Sequence, residues 1–260
     1  MNHQHNVIKA EFSRQADQIV SAPSFNDEDT LVGLVEAVRP TRQDRVLDVA
    51  CGTGVVAFRL AKMAKEVIGL DLTGEMLQRA RKQRHDRGVK NVRFALGEAE
   101  ALPFESGTFD TVVCRMSLHH FSDPRRAIAE MVRVTRPGGR VVLADIVTSS
   151  SGVTARLHNA IERLRDPSHV RMLNREELLD MVAQNGLQVQ KTTTWEKTRF
   201  FQEWADILNA PERSEPLEVV LEALAASSFQ TGIALCLDEH GKLQFKHTWL
   251  LVTSQKPKTA

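Results

Sequence analysis

RVLDVACGTGVVA, residues 45–57, is the stretch that decides the fold. Its first half is a nearly continuous apolar run, typical of a strand buried on both faces of a parallel sheet. Gly52, Gly54 and Ala57 then fit the pattern G-x-G-x-x-G/A, in which glycines let the backbone approach a nucleotide and the next helix points its N-terminus at it. Asp71 ends the next predicted strand, about 20 residues later, where a carboxylate can accept hydrogen bonds from ribose hydroxyls. The alternative, a tight strand–helix turn with Asp71 capping a helix, explains less of this ordered context.

Strands and helices alternate on both sides of this turn. Strands are predicted at 45–50, 66–70, 92–95, 109–114, 140–147 and 187–194, and a hairpin at 233–252. Helices are predicted at 31–38, 52–63, 73–87, 124–136, 154–172 and 175–184 (N-capped by Asn174), with inserted helices over 199–228. Such alternation predicts βαβ units. We therefore expect an α/β, Rossmann-like doubly wound sheet, mostly parallel with an antiparallel C-terminal strand.

We expect one domain over residues 1–260. Within it, 1–40 is predicted to form an N-terminal helical lid and 45–147 the cofactor-binding core. Two helical insertions, 153–172 and 196–230, are predicted to cap an acceptor site.

The composition excludes several classes of protein. A net charge of +1 and a pI of about 7.8 leave no electrostatic footprint for nucleic acid. Neither a signal peptide nor a membrane span is predicted. Cys51, Cys114 and Cys236 lie far apart, which argues against a disulfide framework or a zinc site and favours the cytoplasm. The chain has no tyrosine, which disfavours the short-chain dehydrogenases, because they use one as an acid or base.

Asp48 helps to choose between a dinucleotide and S-adenosylmethionine, which both carry an adenosine ribose. It lies near the end of the first strand, where a carboxylate would repel a pyrophosphate but attract the ammonium and sulfonium groups of S-adenosylmethionine. The alternative is a carboxylate that accepts hydrogen bonds from the loop.

At this point the sequence resembles the class I S-adenosylmethionine-dependent methyltransferases. Residues 46–54 resemble their motif I, and further matching segments follow in order at 67–73, 75–77, 97–104, 109–114, 118–121 and 136–139. The chain looks like the type 11, UbiE-like subfamily of small-molecule methyltransferases. The resemblance is dense over 45–147 and weaker over 174–254.

The resemblance implies a site for S-adenosylmethionine, with S-adenosylhomocysteine as product. Asp48, Gly52 and Gly54 would line the methionine moiety, backbone atoms near Ala50 would hold its amino group, and Asp71 would bind both ribose hydroxyls.

The resemblance also implies contacts to the rest of the cofactor. Leu72 and Met76 would pack on the adenine, although core packing explains them equally well. Glu98, where the family usually has aspartate, would accept a hydrogen bond from the adenine amino group, and the Ala99 N–H would donate one to a ring nitrogen. Arg115 would lie beside the homocysteine part.

Two histidines follow the fourth predicted strand. If the acceptor carries a proton, methyl transfer needs a base, and His120 is the candidate. It resembles a catalytic histidine of phosphoethanolamine methyltransferases, which pair it with a tyrosine that this chain lacks. His119 is expected to contact the acceptor. We expect no metal at this pair, because further ligands at helical spacing are missing.

Other candidate acceptor contacts lie in the predicted lid and insertions. Arg165, His169 and Arg171 could bind a carboxylate or phosphate, unless they form a solvated helical face. Phe12, near Gln15, resembles a lid residue of the subfamily. An aromatic cluster is predicted to roof the acceptor site or form the core of the cap: Trp195, Phe200, Phe201 and Trp204.

We therefore predict methyl transfer from S-adenosylmethionine to a small molecule at oxygen, nitrogen or carbon, by a monomer or homodimer. The asparagine-containing signature of the quinone C-methyltransferases is absent after strand four, so a quinone is only one possible acceptor. The alternatives are a nicotinamide-dependent oxidoreductase and a protein that binds S-adenosylmethionine without transferring methyl.

Overall fold

A computed structural model describes residues 3–227, 229 and 231–258. Its strands are β1 (Arg45–Val49), β2 (Glu66–Asp71), β3 (Val92–Leu96), β4 (Phe109–Arg115), β5 (Thr135–Val147), β6 (Gln188–Phe200), β7 (Cys236–Leu237) and β8 (Leu243–Gln255). Its α-helices are α1 (His3–Ser21), α2 (Glu28–Val38), α3 (Val55–Ala61), α4 (Gly74–Asp86), α5 (Pro124–Val134), α6 (Gly152–Arg165), α7 (Arg175–Gln184), α8 (Phe201–Asp206) and α9 (Pro211–Ala225).

The strands form one mixed sheet in the order β3-β2-β1-β4-β5-β8-β6, and β7 also pairs with β8. From β3 to β5 neighbouring strands are parallel, whereas β8 runs antiparallel to both β5 and β6. Helices α5 and α7 bury apolar side chains on one face, and α2 and α3 do so on the other. The predicted doubly wound sheet with an antiparallel C-terminal strand is confirmed.

The apolar run of β1 has a direct structural cause. Val46 through Val49 are all buried, because helices cover both faces of the sheet at this central strand. β1 lies between β2 and β4, so the direction in which strands are added reverses beside it. In open α/β sheets, ligands bind in the crevice at the carboxyl ends of the strands at such a point.

Several predicted boundaries differ from the structure, and two of the differences have a clear physical cause. β6 continues to Phe200 instead of ending at Thr194, because it pairs with β8 along its whole length, from Gln188 opposite Gln255 to Phe200 opposite Gln244. α6 ends at Arg165 rather than at residue 172. Asp166, which precedes Pro167, is extended, as the proline ring disfavours helical geometry in the residue before it. The predicted N-cap of α7 is confirmed: the Asn174 side chain accepts a hydrogen bond from the backbone N–H of Glu177.

The region predicted as a lid, 1–40, divides into two parts. α2 buries Leu31, Leu34 and Val38 in the core beside α3, so it belongs to the body of the domain. Only α1 and the turn after it lie over the carboxyl edge of the sheet, where they line the cavities described below.

The cap has its own apolar cluster, which joins α6, α8, α9 and the start of β8 through Ile161, Phe201, Leu221 and Phe245. Residues 196–200 of the second predicted insertion belong to β6, and residues 228 and 230 lie outside the described part. Within the described ranges, no helix is long and apolar enough to cross a membrane.

Candidate functional site

The turn after β1 opens a cavity at the carboxyl edge of the sheet. Ala50, Gly52 and Gly54 have φ angles of 55°, 53° and 86°. A side chain at Gly52 would meet nothing within 4 Å, whereas a Cβ at Gly54 would lie 2.9 Å from the ring of Phe94. Gly52 therefore leaves room for a ligand, and Gly54 lets the turn pack on an aromatic ring. Gly54 is not among the residues that line the cavity, and its contact with the methionine moiety stays a prediction.

Asp71 ties this turn to the end of β2. Its Oδ2 accepts a hydrogen bond from the Gly52 N–H at 2.8 Å, and its Oδ1 accepts one from the Thr73 N–H at 2.8 Å. Burial raises the pKa of Asp71, while these hydrogen bonds oppose the shift. Each carboxylate oxygen keeps a second lone pair, so Asp71 can hold the turn and still accept hydrogen bonds from a ligand in the cavity.

Asp48 is a buried carboxyl group that lines the same cavity and is 2% exposed. Within the described chain, its Oδ2 has no hydrogen-bond partner. Burial raises the pKa of Asp48 to about 8, the charge of Asp71 adds to the shift, and Arg115 and the Ala57 backbone N–H oppose it. A cationic group placed beside Asp48 would reverse this shift, because it favours the ionised carboxylate.

Arg115 ends β4 and also lines this cavity. Its Nη1 donates to the Phe25 carbonyl at 3.2 Å. Among described residues, its Nε and Nη2 have no partner. Burial lowers the pKa of Arg115 to about 10, so the guanidinium remains charged at neutral pH. Arg115 therefore offers unused donors close to Asp48.

We call this space the cofactor cavity. Its lining includes most of the predicted cofactor residues: Asp48, Ala50, Gly52, Asp71, Leu72, Met76, Glu98, Ala99 and Arg115. Helix α1 forms its roof through His5, Ile8, Phe12 and Ile19. His5 Nδ1 lies 3.3 Å from an oxygen of Glu98, so the roof contacts the rim.

A second space, the acceptor cavity, adjoins the first. The two share Phe12, Phe25, Met116 and His120 in their linings. The far side of the acceptor cavity consists of residues from α6, the loop after it, and the end of β6, including Arg165, His169 and Arg199. A molecule in the acceptor cavity would thus lie next to one in the cofactor cavity, with α1 over both.

His119 and Asp145 form a buried dyad. The Nδ1–H of His119 donates a hydrogen bond to Asp145 Oδ1 at 2.6 Å, while Asp145 Oδ2 accepts hydrogen bonds from the backbone N–H groups of Ser117 and Leu118. Burial lowers the pKa of His119, but the charge and hydrogen bond of Asp145 outweigh it, so the net shift is upward. Because Nδ1 is held by the carboxylate, Nε2 is the nitrogen that can take a proton, and the ring lines the acceptor cavity.

His120 lies at the junction of the cavities, with Phe12 packed edge-on at 5.0 Å. Its Nδ1–H donates to the Ser168 carbonyl at 3.1 Å. Burial, together with the neighbouring His119, lowers the pKa of His120 to about 4. It is therefore a neutral and weak base, and His119 is better suited to accept a proton.

The three residues predicted to bind an anion lie in different environments. Arg165 lines the acceptor cavity but already pairs with Glu162 at 3.2 Å. His169 lines it too, and its Nε2–H donates to Asn159. Arg171 does not line it: its side chain is exposed and pairs with Glu177 at 2.9 Å. Its role in binding the acceptor stays a prediction.

The four aromatic residues predicted to form one cluster lie in different parts of the structure, so that prediction is wrong. Phe201 and Trp204 lie in the cap core. Trp195 instead stacks on Trp249 across β6 and β8 at 5.8 Å, and Phe200 is exposed. The extension of β6 explains why Trp195 and Phe200 separate, since they lie an odd number of residues apart on one strand and point to opposite faces.

Several cavity residues were missed. Asp145, which lines neither cavity but holds His119, carried a signal, because it is an acid within the apolar run of the fifth predicted strand. Ser24, Phe25 and Met116 lie in turns and carried none. Arg199 fell in a segment predicted as an inserted helix.

A buried group of possible metal ligands lies beside the acceptor cavity. Single ligand atoms of His158, Glu162 and His247 lie within 4.8 Å of one another. However, Glu162 already accepts a hydrogen bond from Arg165, and the positive charges of Arg165 and Arg199 act on His247. These cations oppose a metal ion, so the group serves better as a charged wall of the cavity.

Sequence comparisons match this chain to one family model and to several named proteins. A family model described as a methyltransferase domain matches residues 40–203. The protein named uncharacterized methyltransferase YcgJ, from Bacillus subtilis strain 168, is 32% identical over 231 residues, covering 89% of this chain and 91% of the relative. A demethylmenaquinone methyltransferase of Renibacterium salmoninarum is 39% identical over 112 residues, covering 43% of this chain and 45% of the relative.

Two solved structures are similar to this chain over most of its length. The crystal structure of YcgJ has a TM-score of 0.82 at 31% identity and covers 89% of this chain and 99% of its own. The structure of a Bacillus halodurans C-125 protein named as a methyltransferase has a TM-score of 0.81 at 28% identity, covering 88% and 99%. Over most of its length, the chain is thus similar to proteins named as methyltransferases.

Proposed function

The chain belongs to the methyltransferase-domain family, and we propose that it transfers the methyl group of S-adenosylmethionine to a small-molecule acceptor. The family resemblance read from the sequence is thereby confirmed. One observation carries the choice of donor: Asp48, a buried carboxyl group with an unpartnered oxygen, lies in one cavity with Asp71. A cationic methionine moiety supplies the partner that Asp48 lacks, whereas a pyrophosphate brings no cation and would be repelled by the ionised carboxylate.

The proposed cofactor contacts follow from the lining of the cofactor cavity. Asp71 would accept the ribose hydroxyls, and Asp48 would face the methionine ammonium near Ala50 and Gly52. At the other end, the adenine would contact Leu72, Met76, Glu98 and Ala99. Bound S-adenosylmethionine supplies an electrophilic methyl group on its sulfonium.

The protein's own contribution is to position the acceptor and manage its proton. An acceptor in the second cavity would direct its oxygen, nitrogen or carbon nucleophile at the junction lined by Met116 and His120. We propose His119, held by Asp145, as the group that takes the nucleophile's proton, in place of His120. Helix α1 covers both cavities and would exclude water from the reaction. It would also help to hold the reacting atoms in line.

The proposal extends to the cell compartment. We keep the cytoplasm as the expected location, and the three cysteines support it, because each is a free thiol. A monomer or homodimer remains the expected assembly.

The test is calorimetric titration with S-adenosylhomocysteine, with NADH and NADPH as comparison ligands. We expect one-site binding of S-adenosylhomocysteine alone. Asp71→Asn should weaken it about 10- to 100-fold, because hydrogen bonds to a charged group are lost. The matched control is Asp86→Asn, at an exposed carboxylate on α4, which should bind normally.

Binding of a nicotinamide cofactor instead would favour the oxidoreductase alternative and overturn the proposal. If S-adenosylhomocysteine binds but no labelled methyl group is transferred from S-adenosylmethionine in a metabolite extract, the non-transferring alternative gains support.

A further inference from the structure

Arg199 is a buried cation with no hydrogen-bonding partner in the described chain. It is 5% exposed and lies in the lining of the acceptor cavity, near the end of β6. Among residues 3–227, 229 and 231–258, no side chain lies within ion-pair or hydrogen-bond distance of its guanidinium. The other arginine of the lining, Arg165, is already paired with Glu162. An arginine cannot become neutral in a protein, so its burial is costly until an anion pairs with it.

Two more unused groups line the same cavity. Gln15 on α1 and Ser24 in the turn after it are both buried. Within the described residues, the Gln15 Nε2 and the Ser24 Oγ have no hydrogen-bond partner. Buried polar groups are rarely left unsatisfied, so unused groups that line one cavity point to a ligand with acceptor atoms.

We propose that the acceptor cavity binds the carboxylate of its substrate through Arg199, with Ser24 and Gln15 as additional donors. The inference rests on the proposed function and specifies the class of acceptor. The substrate is then a small molecule with a carboxylate at one end and a methylatable oxygen, nitrogen or carbon at the other. Its nucleophile would reach the junction at Met116 and His120.

The charges around Arg199 favour a single negative charge over a phosphate dianion. Glu203 lies in the same lining, with a buried oxygen that lacks a partner, and its charge attracts Arg199 from beyond ion-pair distance. Glu162 and Asp166 also line the cavity. These three carboxylates repel a dianion twice as strongly as a carboxylate at the same place, and a carboxylate needs only one guanidinium and neutral donors.

The test is titration of the protein saturated with S-adenosylhomocysteine, so that the cofactor cavity is filled. The probes are acetate, butyrate, benzoate and 3-phenylpropanoate, each beside its neutral amide, together with phenyl phosphate. At least one carboxylate should bind, at least tenfold more tightly than its amide. Arg199→Met should weaken that binding at least tenfold, Arg199→Lys should weaken it less, and Arg163→Met, at an exposed arginine of α6, should not change it.

Three results would overturn the proposal: no carboxylate binds, the amides bind equally well, or Arg199→Met binds as the parent protein does. Tighter binding of phenyl phosphate than of benzoate would overturn the single-charge argument. If S-adenosylhomocysteine itself fails to bind, the proposed function fails. The same carboxylate titration on the ligand-free protein then tests the Arg199 site alone.

Discussion

Cofactor binding should depend on pH through Asp48, and the Asp48→Asn variant should lose that dependence. In the ligand-free protein, burial raises the pKa of Asp48 to about 8, so the group is mostly protonated at neutral pH. The methionine ammonium would favour the ionised form. Binding should therefore release a proton, and affinity should increase with pH.

The magnitude follows from linkage. If only the ionised form binds, the association constant rises about tenfold per pH unit below the free pKa. Between about pH 5.5 and 7.0 the gain is about 30-fold, or ~2 kcal/mol. Above that range the ligand's own amino group begins to titrate, because model α-amino groups have pKa values near about 8.

The assay is calorimetric titration with S-adenosylhomocysteine at several pH values, in buffers with different ionisation enthalpies. At about pH 6.5 we expect release of about one proton per cofactor bound. Asp48→Asn should have an affinity that changes little with pH. His5→Gln separates any contribution from the histidine in the roof of the cofactor cavity.

An affinity that stays constant over this range, with no proton released, would refute the reasoning. It would mean that the cofactor does not bring a cation to Asp48. A pH dependence that persists unchanged in Asp48→Asn would assign the titration to another group.

Three further predictions concern separate parts of the molecule. Asp145→Asn should lower kcat about 10- to 100-fold. Because Asp145 raises the pKa of His119, the limb of the kcat profile that rises with pH should also move to lower pH. An unmoved limb in a pH–rate profile would count against His119 as the base. Gly54→Ala should lower the free energy of unfolding by about 1–3 kcal/mol in urea, because of its φ of 86° and the ring at 2.9 Å, while Gly74→Ala, at an open position in α4, should cost nothing. Arg199→Met should stabilise the ligand-free protein by about 1–3 kcal/mol, measured by the same method, and a loss of stability would show that the guanidinium is satisfied in the folded chain.

The cofactor half of the site could be predicted because it is local in sequence. The turn at Gly52 needs positive φ angles and room for a ligand, and Asp71 must come one βα unit later to reach it. These constraints leave a pattern of residue types at short spacing. Gly54 shows the limit of this inference: the pattern identified the glycine, but only the position of Phe94 reveals that it is needed for packing.

The acceptor half could not be predicted in the same way, because its residues come from distant elements. Arg199 and Phe200 illustrate the difficulty. Residue type alone would expose the arginine and bury the phenylalanine, but the register of β6 against β8 does the reverse. That register depends on long-range strand pairing, which a single sequence does not reveal.

Helix α1 is held over the cavities by charged and polar groups as well as by the apolar packing of Ala16 and Ile19 on Met76. Arg79 of α4 binds Asp17 at 3.0 Å, and Arg213 of α9 binds Glu11 at 2.9 Å. Gln4 donates to the Ser168 carbonyl at 2.6 Å. Glu11 is buried, but the Asp17–Arg79 pair is exposed, and exposed ion pairs are individually weak and are screened by salt. Ionic strength therefore becomes a control on turnover: where opening of this helix limits product departure, moderate salt should accelerate the steady-state rate while leaving the chemical step untouched.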